Sequence, residues 1–169
     1  MAYKLYSVET IIDEEEIETW YLDKDEGAIV TNINKLFGST VTDCYWIDDN
    51  ENKFISFMHG DWTGGEVWGI LNVRGDIIIK DLKEITSYIE EGECFIVQVT
   101  GLGLAEKFES YDLPHDEWRM CVIDPSGNFI IEPLYDKISY DDVERIYFAK
   151  SRGKEEENFN FLGKKIKSY

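Results

Sequence analysis

Apolar and polar residues alternate in short runs along this chain, and turns of one recurring kind join the runs. Aromatic or apolar residues lead to Asp or Asn, a short polar turn containing Gly follows, and a β-branched run comes next. The pattern stands at residues 20–30 around Gly27, at 45–55 with Asn52 in place of Gly, at 68–79 around Gly75, at 120–131 around Gly127 and, shortened, at 159–166 around Gly163. Alternation with period two predicts half-buried strands. Gly supplies positive φ in the connecting turn, and Asn tolerates it. The chain therefore reads as mainly β: about five antiparallel hairpins in a single compact domain over residues 1–169. A short helix is predicted near Asp13–Thr19 and another near Leu104–Ser110, the latter stopped before Pro114.

Two copies match beyond the hairpin. With a one-residue gap, Gly75 aligns with Gly127, Ile85 with Ile138, Thr86 with Ser139 and Phe95 with Phe148. Residues 67–99 and 119–150 thus form two units of hairpin, link, acidic turn and third strand. Residues 20–58 hold two divergent hairpins, 100–118 an insertion, and 151–169 a tail with a frayed hairpin. The head Trp68-Gly69 through Gly75-Asp76-Ile77-Ile78-Ile79 and the tail Ile131-Glu132-Pro133-Leu134-Tyr135-Asp136 resemble the WG repeat, a bacterial β-rich repeat family. Only the first of the two units has Trp-Gly; the second has Met120-Cys121. The resemblance implies a β architecture and a binding role, and it carries no catalytic motif.

Charge sharpens this picture. Asp and Glu number 35 against 17 Lys and Arg, a net charge of −18 over 169 residues. Such a chain repels phosphate backbones and anionic membranes and attracts basic surfaces from a distance, so direct nucleic-acid binding is excluded. The 43% apolar content is enough for a core and excludes disorder. No apolar run reaches spanning length, and the N-terminus lacks a signal-peptide run. Cys44, Cys94 and Cys121 are odd in number, without CxxC, as in reduced cytoplasmic proteins.

Catalytic and ligand chemistry is thin. The two histidines, His59 and His115, stand in no nucleophile motif, although a small enzyme could use either. A metal would need the His59-Gly60-Asp61 and His115-Asp116-Glu117 segments to meet, and no cofactor is expected. Asp48-Asp49-Asn50-Glu51-Asn52 begins like a calcium loop, but Lys53 and His59 stand where Gly and Glu are required. Gly101-Leu102-Gly103 lacks the rest of a phosphate loop. The reading that remains is a non-enzymatic acidic protein that binds and inhibits a basic protein partner, of the immunity or phage counter-defence type, with carboxylate rows imitating phosphates. A generic WG-repeat interaction module is the alternative. The candidate partner-binding residues are Glu14, Glu15 and Glu16; Asp48, Asp49 and Glu51; Asp141 and Asp142; and the loop aromatics Trp62 and Trp118.

Overall fold

A computed structural model describes residues 3–24, 29–37, 41–48, 51–60, 67–107 and 112–167. The chain is mainly β and divides into two compact units, residues 1–80 and 81–169. The first contains β1 (Tyr3–Ile12), β2 (Glu15–Lys24), β3 (Ile29–Asn32), α1 (Ile33–Phe37), β4 (Val41–Trp46), β5 (Phe54–His59) and β6 (Val67–Asn72). The strand β7 (Ile77–Ile89) carries the division. The second unit continues with β8 (Cys94–Thr100), α2 (Gly101–Lys107), β9 (Trp118–Ile123), β10 (Phe129–Tyr135), β11 (Lys137–Asp141), β12 (Ile146–Lys150), β13 (Glu157–Asn160) and β14 (Lys165–Ile166).

In the first unit, β1, β2 and β3 form an antiparallel sheet in that order, and β4, β5 and β6 pair antiparallel in sequence. Leu22, Ile33, Val41, Cys44, Ile55, Phe57 and Leu71 make its core, with Trp20 and Trp46 packed against it. In the second unit the order β7, β8, β9, β10 is again antiparallel, and β11 to β14 form a meander. Its core is Cys94, Ile96, Met120, Val122, Ile131, Tyr135, Ile138, Tyr147 and Ala149.

The recurring turn is one device built three times. The side-chain Oδ1 of Asn72 accepts from the N–H of Arg74 and Asp76 at 3.0 Å each. Asp124 accepts likewise from Ser126 and Asn128 at 2.9 Å, and Asn160 from Leu162 and Lys164 at 3.0 and 2.9 Å. Gly75, Gly127 and Gly163 each donate back to the carbonyl of that Asx residue. Their φ values are 88°, 79° and 79°, the region only Gly enters without strain. Asn52, at φ 51°, takes this place in the turn between β4 and β5. The turn around Gly27 lies outside the described residues, but β2 and β3 pair on either side of it, Lys24 opposite Ile29. The shortened copy is a real hairpin of β13 and β14.

The helices differ from expectation. No helix forms near Asp13–Thr19. Asp13 and Glu14 have φ of 52° and 66° and close a two-residue turn between Ile12 and Glu15, so the segment belongs to the β1–β2 hairpin. The β-branched alternation of Val8, Thr10, Ile12, Ile17 and Thr19 outweighs the helix preference of the Glu run. The second helix, α2, starts at Gly101 rather than near Leu104, because the Thr100 hydroxyl accepts from Gly103 N–H at 3.1 Å and caps it. Residues 108–110 of that expectation lie outside the described ones. The short α1 was not anticipated; Asn32 caps it by accepting from Lys35 N–H at 3.2 Å.

Candidate functional site

The three acidic clusters singled out by sequence fall in different settings. Asp48 is only 5% exposed. Its carboxylate accepts from the backbone N–H groups of Lys53 and Phe54, so it closes the turn between β4 and β5. Glu51 is exposed and paired with Lys53. Asp49 lies outside the described residues. Asp141 is likewise a turn residue: its Oδ1 accepts from Val143 and Glu144 N–H at 2.9 Å each. Asp142 beside it is exposed.

Glu14, Glu15 and Glu16 are different. They form the tip of the hairpin of β1 and β2, and every residue from Val8 to Ile17 is exposed. Among the described residues none of the three glutamates is ion-paired. Between Leu5 and Asp23 the chain has Glu9, Asp13, Glu14, Glu15, Glu16, Glu18 and Asp23 and no Lys or Arg.

The arm is anchored at its base and two-faced toward its tip. Tyr3, Leu5, Trp20 and Leu22 share one face and pack in the core of the first unit. Further out, that face carries Glu9 directly opposite Glu18 and Ile11 opposite Glu16. Like charges directly opposite repel, and among the described residues neither Glu9 nor Glu18 is ion-paired. The other face carries Tyr6 stacked on Tyr21 at 5.5 Å, then Val8, Thr10, Ile12 and Ile17, with Ile12 55% exposed and Glu15 opposite it next to the turn.

The aromatic candidates part company. Trp62 lies outside the described residues. Trp118 is not in a free loop: it opens β9 opposite Thr100 and packs against the core of the second unit. His59 ends β5 with its ring 5.3 Å from that of Phe57, and His115 is exposed in the second unit. Among the described residues no group of three His, Cys, Asp or Glu side chains could hold a metal ion.

The three thiols are free and buried. Burial foremost, then the charges of Asp43 and Glu18, push the Cys44 thiol far up. Burial pushes Cys94 up to about 11. Neither is a thiolate near neutral pH, and the thiolate is the nucleophile. A cleft in the second unit is lined by Lys154, Glu155, Glu156, Glu157, Lys165, Ile166 and Lys167. Its central carboxylate is in use: Lys165 donates to Glu157 at 2.6 Å, and the Tyr135 hydroxyl donates to the other oxygen. Lys165 first, then Tyr135, hold the Glu157 carboxyl below its usual range.

Among the described residues no helix is long and apolar enough to cross a membrane. No protein-family model matches the chain, and no curated protein sequence is significantly similar to it.

Proposed function

We propose that this protein is a non-enzymatic acidic binding protein whose β1–β2 arm docks on, and thereby inhibits, a basic protein surface. One observation carries the reading: the cluster Glu14–Glu16 is presented at the tip of an exposed arm without a cation between Leu5 and Asp23. The net charge of −18 adds long-range attraction to such a partner. A basic surface that normally holds nucleic acid is the most complementary kind. The repeated Asx–Gly turn supports a WG-type relationship for residues 67–99 and 119–150. The reduced thiols favour a cytoplasmic setting.

The test compares the native chain with the triple variant Glu14→Lys, Glu15→Lys, Glu16→Lys as bait in a lysate of the source cell. Association rates are then measured for the retained protein across a salt series. The variant is expected to associate several-fold more slowly, and the native rate to fall as salt shortens the screening length below about 8 Å. Thermal stability should stay within roughly 0.5 kcal/mol, because the three carboxylates are exposed. An association rate indifferent to both salt and the triple reversal contradicts the proposal.

A further inference from the structure

The free edge of the arm can be read from its hydrogen bonds. On β2, the Trp20 N–H donates to the Asn34 side-chain oxygen at 2.9 Å, and the Glu18 carbonyl accepts from the Asn34 amide at 3.4 Å. These backbone groups therefore point away from β1. In an antiparallel ladder, a residue whose backbone points away from its neighbour faces a partner that does the same. Glu18 faces Glu9 and Trp20 faces Ser7. The N–H and C=O of Ser7 and Glu9, and by period two those of Ile11, point to the outer side of β1. β1 is the end strand of its sheet, and among the described residues β2 is its one strand partner. From Val8 to Ile12 this edge is exposed, without proline, bulge or lysine. Those are three of the devices that usually blunt an open edge, and Glu9 is the one charge between Val8 and Ile12.

We infer that β1 is a site of strand addition, and that the added strand is an extended segment of a partner protein with alternating basic and apolar side chains. The two faces of the arm set that alternation. A strand laid against β1 places every second side chain beside Glu9 and Ile11, with Glu18 and Glu16 one strand further on, and a cation beside Glu9 relieves the Glu9–Glu18 repulsion. The side chains between lie beside Val8, Thr10 and Ile12. Backbone bonding at Glu9 and Ile11 supplies affinity, and the edge supplies register, since a slip by one residue moves the cations from Glu9 to the uncharged Val8, Thr10 and Ile12. A second copy of this chain is a poor occupant, because each copy carries −18. The inference rests on the reading that the arm binds a basic partner.

The probe is a peptide of about ten residues alternating Lys and Val, long enough to cover the edge. It is compared with the same peptide N-methylated at every second residue, which keeps the charge and removes the ladder donors. Binding to the full chain is measured by fluorescence anisotropy. The unmodified peptide is expected to bind at least about tenfold more tightly. A peptide of the same composition with Lys and Val in blocks should bind several-fold more weakly than the alternating one. Glu9→Pro removes an outward donor without touching the β1–β2 bonds, and should erase most of the preference for the unmethylated peptide. Glu9→Gln should weaken both peptides alike. If methylated and unmethylated peptides bind equally and both weaken with salt, strand addition is wrong and acidic docking stands. If neither peptide binds, both readings fall.

Discussion

Gly69→Ala is expected to destabilise the first unit by roughly 2–4 kcal/mol, a large loss for one methyl group. Gly69 lies on β6 directly opposite Phe57 on β5. A Cβ there would stand 2.1 Å from the Phe57 ring carbon Cζ and within 2.7 Å of two more ring carbons. Phe57 is fully buried among Leu22, Ile33, Val41, Cys44, Ile55 and Leu71, so the ring has nowhere to retreat without opening a cavity or displacing a neighbour. The Trp-Gly pair thus has a packing reason: Trp68 meets Tyr45 edge-on at 5.5 Å, while Gly69 makes room for a ring from the next strand. Chemical denaturation of the single variant, of Phe57→Leu and of the double variant checks this. The double variant should lose clearly less than the two single losses added together. An unchanged denaturation midpoint for Gly69→Ala contradicts the packing described.

Gly163→Val should cost the second unit a similar roughly 2–4 kcal/mol, from two sources. The residue sits at φ 79°, and its added Cβ would fall 2.3 Å from Ile130 Cγ2 and 2.4 Å from the Ile130 carbonyl oxygen. Gly153 is the control. It has nearly the same φ, 75°, with nothing within 4 Å of a built Cβ. Gly153→Val therefore isolates backbone strain, about 1–2 kcal/mol, and the excess loss at Gly163 measures the contact with Ile130. Equal losses at the two positions would show that the hairpin of β13 and β14 does not pack on β10.

The sequence made the hairpins legible where the turn chemistry is local. Asn72 with Gly75, Asp124 with Gly127 and Asn160 with Gly163 need only five residues to satisfy their own backbone, so spacing alone reveals them. The arm was hidden for the opposite reason. Asp13 and Glu14 both take left-handed conformations, which Asp tolerates but Glu does not advertise, and the following Glu run resembles a helix start. The five-residue α1 is too short to show a period. Acidic residues also read alike whether they are free or capping: Asp48 and Asp141 bond backbone N–H groups, whereas Glu14–Glu16 meet solvent. Trp118 looked like a loop residue because the polar residues before it mask the start of β9.

The arm is paired on one side and open on the other, and residue-resolved amide hydrogen exchange along β1 measures this directly. The N–H groups of Val8 and Thr10 face β2, and those of Glu9 and Ile11 face outward. Protection should alternate, with Val8 and Thr10 exchanging at least about tenfold more slowly than Glu9 and Ile11. Uniform protection along β1 would mean that the outer edge is already covered, uniform fast exchange would mean that the arm is not a hairpin, and either result would rule out an open-edged arm.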